Sequence, residues 1–145
     1  NNPKIKKLLK KENSLNLNKV ETFKKFFNKI KKVKFDLITI LKKLKTDNKI
    51  IHGYGASTKG NVLLQYFGID KKYLDLISDR NPKKNGFYTP NFKIKIVKEE
   101  YSRNLKPDYY LVLPWHFKKE ILIREKRIRR HGTKFIFPLP KVTVN

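Results

Sequence analysis

The feature that most constrains the fold of this chain is a series of short apolar segments that begins at Lys49. The first segment, KIIHGYG, breaks at glycine and is typical of a buried strand that ends in a loop. The second, NVLLQYF, has a helical pattern, and Gly68 follows it as the expected C-cap. Strand, strand, helix and strand patterns come next, in that order. This alternation predicts an α/β fold with a mostly parallel sheet flanked by helices.

The later segments are assigned from their composition. YLDLISD, FKIKIV, PDYYLVLP and TKFIFPLP are predicted strands, and FKIKIV is placed at an edge of the sheet. RNPKKNGFYTP is a predicted loop because it is rich in Pro, Gly and Asn. KEEYSRN predicts a short helix or turn, and WHFKKEILIREKRIRRHG predicts one helix that ends at Gly132.

A long amphipathic N-terminal helix is predicted over residues 20–46, ahead of the sheet segments. Apolar residues recur there at spacings of three and four, and the opposite face is mostly lysine. Asn18 is the predicted N-cap, with Glu21 in the capping-box position. We interpret residues 1–19 as a tail or linker from a preceding domain, with Pro3 opening a short helix, and residues 20–145 as one domain.

The chain carries a net charge of +24, which raises nucleic acid as a partner. The residue types in excess are Lys, Asn, Ile, Phe and Tyr, which AT-rich codons encode, and the charge is spread along the whole chain. We therefore favour genome composition over nucleic-acid binding as its cause. The basic helix could also lie on an acidic membrane, but a solvated face above a core-packing stripe is the simpler interpretation.

Composition also excludes several kinds of site. The chain has no cysteine and three scattered histidines, so we expect no metal site. No apolar run approaches the roughly 18–20 residues of a membrane span, and no signal peptide opens the chain. We expect a cytoplasmic protein without a membrane partner.

A glycine-rich loop lies between the first predicted strand and helix, the setting that a phosphate site requires. Gly53 and Gly55 can adopt positive φ and admit a ligand close to the backbone. Ser57 is a predicted cap of a helix N-terminus that attracts anions, and Lys59 adds a charge. The spacing to Gly60 matches neither the dinucleotide-binding motif nor the Walker loop, so a tight turn with a close-packing glycine is an equal alternative.

Two further groups of side chains are expected at the same edge, because the carboxyl ends of parallel strands meet there. Asp79 ends the second strand, where doubly wound folds bind a ribose, and Arg80 and Asn81 follow it. Asp79 could equally cap a turn. Trp115 and His116 follow a later strand and favour stacking and a hydrogen bond or proton transfer, unless the tryptophan only packs the start of a helix.

Four segments in series resemble the C-terminal domain of the sugar C-methyltransferases, which methylate a carbon of a nucleotide-linked keto-sugar. The segments are GYGASTKGNVLLQYFGI, LISDRNPKKNGFYTP, KPDYYLVLPWHFKKEI and GTKFIFPLP. The resemblance implies a Rossmann-like fold and a role in positioning the substrate. It also implies that S-adenosylmethionine binds a middle domain outside this sequence, in the same polypeptide or as a separate chain. No cofactor is therefore expected in this chain, and it is not expected to methylate by itself.

The resemblance also implies which residues bind the substrate, a nucleotide-sugar of the thymidine-diphosphate type. They fall in three segments of one sheet edge: Gly53, Tyr54, Gly55, Ser57, Lys59, Asn61, Asp79, Arg80, Asn81 and Trp115. The loop residues are assigned to the diphosphate or sugar, and those after the second strand to the nucleoside end or the domain interface. His116 is the one catalytic candidate.

Two other functions stay open at this point. A stand-alone dinucleotide-binding domain fits the predicted fold, but the third glycine is not at its usual place. A nucleic-acid-binding protein fits the net charge, but it requires a basic face and binding that weakens steeply with salt.

Overall fold

The computed structural model describes residues 2–145 and is built on a six-stranded sheet. The strands are Ile51–Tyr54 (β1), Ile77–Asp79 (β2), Ile96–Lys98 (β3), Tyr109–Val112 (β4), Lys134–Phe137 (β5) and Thr143–Val144 (β6). Their order is β3-β2-β1-β4-β5-β6; the first five are parallel, and β6 pairs antiparallel with β5. This order is that of Rossmann-type dinucleotide-binding sheets. The predicted α/β fold is confirmed, and β3 lies at an edge as expected.

Six α-helices lie within the described residues. They are Pro3–Ser14 (α1), Val20–Thr46 (α2), Thr58–Phe67 (α3), Glu99–Asn104 (α4), Lys118–Arg124 (α5) and Lys126–Arg130 (α6). Short 3-10 turns span Pro82–Lys84 and Trp115–Phe117. No helix of residues 2–145 combines the length and hydrophobicity that crossing a membrane requires.

The sheet has a core on each face, because successive strand side chains point to opposite sides. On one face, Ile51, Ile77 and Leu111 pack with apolar residues of α2 and α3. On the other face, an aromatic cluster of Tyr54, Tyr110 and Phe135 packs against α5 and α6. Both faces of the parallel sheet are therefore covered, which is the arrangement that such sheets need.

The predicted long helix is confirmed as α2, but only part of it reaches the core. Val33, Leu37 and Leu41 are buried against the sheet, whereas Phe23 and Phe27, nearer the start of the helix, are exposed. Helix α1 begins at Pro3, as predicted, and has no buried residue. The interpretation of residues 1–19 as a tail or linker stays a prediction.

The predicted capping box at Asn18 is wrong. The N-cap of α2 is Lys19, which makes no side-chain capping bond. The Thr22 hydroxyl instead donates to the carbonyl oxygen of Asn16 across the preceding turn. Asn16 has a φ of 53°, so the chain turns sharply just before the helix. The hydrogen bond from Thr22 therefore joins the start of α2 to the preceding turn, in place of the expected capping box.

The predicted single helix from Trp115 to Gly132 is also wrong, since it consists of a 3-10 turn, α5 and α6. The break lies at Glu125, whose buried carboxylate is held by side chains from other elements. This tertiary constraint overrides a helical pattern that is continuous in the sequence. The strands differ from the prediction in two places. The sequence does not predict β6, and only Ile77–Asp79 of the predicted strand YLDLISD is a strand.

Two glycines on either side of the loop after β1, Gly53 in β1 and Gly60 in α3, are required for close packing. A Cβ on Gly53 would lie 2.6 Å from Cγ1 of Ile77, and one on Gly60 would lie 2.5 Å from Cβ of Leu113. Gly53 does not have a positive φ, contrary to expectation, whereas Gly55 has a φ of 81°. Gly53 and Gly60 are therefore required because a side chain would not fit there, and Gly55 is required because its backbone has a positive φ.

A buried chain of polar side chains joins the two central strands, β1 and β4, to α4. Nδ1 of His52 lies 2.8 Å from Oγ of Ser102, which lies 2.8 Å from the Tyr110 hydroxyl. Burial lowers the pKa of His52 from its ordinary value of 6.5 to about 4, although Asp75 partly opposes this shift. His52 is therefore neutral in the folded protein at neutral pH.

We expect Gly60→Ala to lower the free energy of unfolding by about 1 kcal/mol. The overpacking cost of roughly 1–3 kcal/mol exceeds the gain of about 1 kcal/mol in helix propensity. Urea unfolding of the variant measures this, with Gln65→Ala as a control because Gln65 is exposed on the same helix. Equal stability of Gly60→Ala and the unsubstituted protein would contradict the packing argument.

We expect His52 to make stability depend on pH between 6.5 and about 4. The unfolded state takes up the proton first as the pH falls, so the stabilisation is complete above pH 6.5 and is lost by about pH 4. The loss is about 3 kcal/mol. Urea unfolding of His52→Gln across this range should show a shallower decline than the unsubstituted protein.

His131→Gln is the matched control for this experiment, because His131 is exposed. It should retain the full pH dependence. A His52→Gln profile that runs parallel to that of the unsubstituted protein would show that His52 does not contribute.

Candidate functional site

A pocket lies at the carboxyl ends of β1 and β4, where the order of the strands reverses. Open α/β sheets bind ligands at this point. The cavity has a volume of about 340 Å³, within the usual size range of small-molecule sites. Its walls come from the ends of β1, β2 and β4 and from α4 and α5: Tyr54, Gly55, Asp79, Arg80, Glu99, Pro114, Phe117, Glu120, Ile121 and Arg124.

Tyr54 is the buried tyrosine at the base of this pocket, and Glu125 holds its hydroxyl. The hydroxyl donates to Oε1 of Glu125 at 2.7 Å. Arg103 donates to both oxygens of the same carboxylate, through Nη2 at 2.6 Å and Nε at 3.2 Å. Arg124 also contacts Glu125 and donates to the Tyr54 hydroxyl and to Glu99. The pocket therefore rests on a network of two carboxylates, two guanidinium groups and one phenol.

The charges of this network shift the pKa values of its members in opposite directions. Burial, together with the hydrogen bond to Glu125, raises the pKa of Tyr54. Burial alone would favour the neutral form of Glu125, but the bonds from Arg103 and Tyr54 outweigh it and hold the pKa of this carboxyl below its usual value. At neutral pH, Tyr54 is a neutral hydrogen-bond donor and Glu125 is a carboxylate.

Several backbone amides of the glycine loop beside the pocket already donate hydrogen bonds to other atoms of the protein. Ser57 caps α3 as predicted, since its Oγ accepts from the Gly60 amide at 3.0 Å. The Gly55 amide donates to the carbonyl of Ser78, and the Ser57 amide donates to that of Gly55. The Ala56 amide donates to Asp79 at 2.7 Å. These three loop amides thus already have protein acceptors.

Asp79 lines the pocket, but its carboxylate is engaged in bracing the loops. Besides the Ala56 amide, it accepts the Asn81 amide at 2.8 Å and Nζ of Lys84 at 3.1 Å. Asn81 in turn caps the short turn that starts at Pro82. The turn-capping alternative given for Asp79 therefore describes its contact with the Asn81 amide, and the cap that Asn81 makes is a finding of the structure.

The remaining predicted site residues are divided between the pocket and its surroundings. Arg80 lines the pocket and is exposed, whereas Lys59 is exposed on the first turn of α3 and does not line it. Trp115 packs against the cores on both faces of the sheet, and the neighbouring His116 is exposed. Asn61 is half-buried, and its Oδ1 has no hydrogen-bond partner among residues 2–145.

Of the predicted substrate-binding residues, the pocket brings together four: Tyr54, Gly55, Asp79 and Arg80. Sequence reasoning missed the side chains of the helical wall and of the supporting network: Glu99, Arg103, Phe117, Glu120, Arg124 and Glu125. The available signal was weak. Arg124 and Glu125 are charged residues in a predicted helix that contains many other charged residues, and they meet Arg103 only through the tertiary fold.

Comparison with known proteins identifies the family. The C-methyltransferase C-terminal domain family matches residues 1–140. The chain is also 31% identical, over 142 residues, to the C-methyltransferase NovU of Streptomyces niveus. That alignment covers 98% of this chain and 34% of the relative, so the chain spans about a third of the length of the protein it matches. The chain belongs to the C-methyltransferase C-terminal domain family.

Proposed function

We propose that this chain is the substrate-positioning domain of an S-adenosylmethionine-dependent C-methyltransferase that acts on a nucleotide-linked deoxy keto-sugar. The observation that carries the proposal is the pocket at the reversal point of the sheet in a chain of this family. The expected substrate is of the thymidine-diphosphate type. The nucleotide end would enter the pocket and the keto-sugar would extend beyond it.

The chemistry explains why such a domain is useful. Methylation of a carbon beside a ketone requires removal of a proton and stabilisation of the enolate that forms. The reacting carbon must also be held in line with the methyl donor. Binding a distant diphosphate supplies energy for this orientation without taking part in the reaction. We therefore assign the pocket to binding and orientation, and no proton transfer to His116, which does not line it.

The side chains at this edge do not suit S-adenosylmethionine bound in the manner of a Rossmann dinucleotide. The acid that would bind the ribose, Asp79, already accepts from the Ala56 and Asn81 amides and from Lys84. We propose that the methyl donor binds a separate domain, in the same polypeptide or in a partner chain. This chain would then form one wall of a cleft between the two domains.

Within the pocket, the proposed contacts follow from position and chemistry. The exposed Arg80 guanidinium is an available donor for an oxygen-rich ligand, whereas the single hydroxyl proton of Tyr54 is already donated to Glu125. Phe117 is an exposed aromatic side chain of the wall and can stack on a nucleobase. Ser57, Lys59 and Asn61 remain candidates for the part of the substrate that leaves the pocket.

We expect thymidine diphosphate to bind the 145-residue chain, and NAD not to bind it. The strand order favours a dinucleotide, but the engaged Asp79 leaves no free acid at the usual ribose position. Isothermal titration calorimetry with each ligand distinguishes the two functions. Heat with NAD and none with thymidine diphosphate would reject the proposed function in favour of a dinucleotide-binding domain.

A further inference from the structure

In the charged network beside the pocket, each of the two carboxylates, Glu99 and Glu125, contacts two arginines. One arginine is enough to give both carboxylates an ion pair. Arg103 alone reaches both acids, since its Nη2 lies 3.1 Å from Oε2 of Glu99 and 2.6 Å from Oε1 of Glu125. Its Nε also donates to Glu125. If Arg124 moved away, each carboxylate would keep an ion pair, and no buried charge would be left without a partner.

Arg124 is the member of the network that faces the pocket. Its side chain is 37% exposed, whereas that of Glu125 is 3% exposed. Its guanidinium lies 5.4 Å from the centre of the Tyr54 ring, and Arg124 lines the cavity, whereas Arg103 does not. Arg124 can therefore leave the network without exposing an unpaired buried charge, and a ligand in the pocket can reach it.

Arg80 provides a second guanidinium from the end of β2, on another wall of the same pocket. It is exposed and has no ion pair among residues 2–145. Two carboxylates of the wall already have cationic partners: Asp79 forms an ion pair with Lys84, and Glu99 forms one with Arg103. Glu120 is exposed and has no ion pair within the same residues, so it can accept hydrogen bonds from ligand hydroxyl groups.

We propose that Arg124 and Arg80 bind the phosphate groups of the ligand, with Arg124 exchanging its contact with Glu99 for a phosphate oxygen. This inference rests on the proposed function and names the anion-binding residues of the same pocket. Guanidinium groups suit the role because they bind phosphate through two parallel hydrogen bonds. Arg103 holds Glu125 while Arg124 moves, and Glu125 in turn keeps its hydrogen bond from Tyr54.

The alternative anion site is the N-terminus of α3, with Lys59. The contacts favour the arginine pair, because the amides of Gly55, Ala56, Ser57 and Gly60 already have protein acceptors, which leaves only those of Thr58 and Lys59 for an anion. Lys59 also does not line the cavity. A phosphate at the α3 N-terminus would therefore lie outside the pocket that the rest of the ligand is proposed to occupy.

The test is calorimetric titration of thymidine diphosphate into the chain and its variants. We expect Arg124→Gln and Arg80→Gln each to weaken binding about 10- to 100-fold, the usual effect of losing hydrogen bonds to a charged group. Arg124→Lys keeps the charge and should recover part of the affinity. Arg127→Gln is the matched control, because it removes an exposed arginine that does not line the pocket, and it should bind as the unsubstituted chain does.

A second ligand separates phosphate binding from a structural role. Thymidine lacks phosphate, so its weak binding, followed by ligand-observed NMR, should be the same for Arg124→Gln and the unsubstituted chain. A loss of thymidine binding in Arg124→Gln would show that the arginine only supports the pocket, which overturns the inference.

Two outcomes distinguish failure of this inference from failure of the proposed function. If thymidine diphosphate binds but Arg124→Gln leaves its affinity unchanged, or only Lys59→Gln weakens it, the phosphate lies elsewhere and the arginine pair is wrong. The proposed function survives that result. If the unsubstituted chain does not bind thymidine diphosphate or its sugar conjugates, both proposals are rejected.

Discussion

The buried carboxylate of Glu125 is the interaction on which the candidate site depends. It accepts hydrogen bonds from Tyr54 at the end of β1 and from Arg103 on α4, and it lies where α5 and α6 meet. A buried carboxylate with so many donors stabilises the fold only while they stay in place, since one left unpaired costs several kcal/mol. The helical wall of the pocket is thereby tied to the sheet, and Arg124 is placed at the cavity surface.

The sheet and the loop after β1 supply the rest of the site. Gly53 lets β1 pack closely on Ile77, and Gly60 lets α3 pack closely on Leu113. Asp79 accepts a hydrogen bond from the Ala56 amide of the loop between β1 and α3. The result is a loop whose Gly55, Ala56 and Ser57 amides donate to protein atoms, beside an open pocket whose charged groups are side chains. The site therefore differs from a Rossmann phosphate loop, in which backbone amides bind the ligand directly. The binding groups that we propose, Arg80 and Arg124, are side chains from the end of β2 and from α5.

Much of the fold could be predicted from the sequence, because periodicity reports which faces of an element are buried. The α2 stripe, the Ser57 cap and the parallel strands from β1 to β5 follow from local patterns of this kind. The break at Glu125 could not be predicted, because its cause is a set of partners that lie 22 or more residues away in sequence. Asp79 ends β2 beside the pocket, as expected, but nothing local in the sequence shows that its carboxylate accepts the Ala56 amide.

The central claim is that this domain binds a nucleotide at the carboxyl ends of β1 and β4. The most direct measurement is the change in backbone amide NMR shifts of the 145-residue chain on addition of thymidine diphosphate. The account predicts that the largest changes cluster at residues 54–57, 79–81 and 114–124, around the pocket. Changes confined to α1 and the exposed start of α2, with none at the pocket, would contradict it.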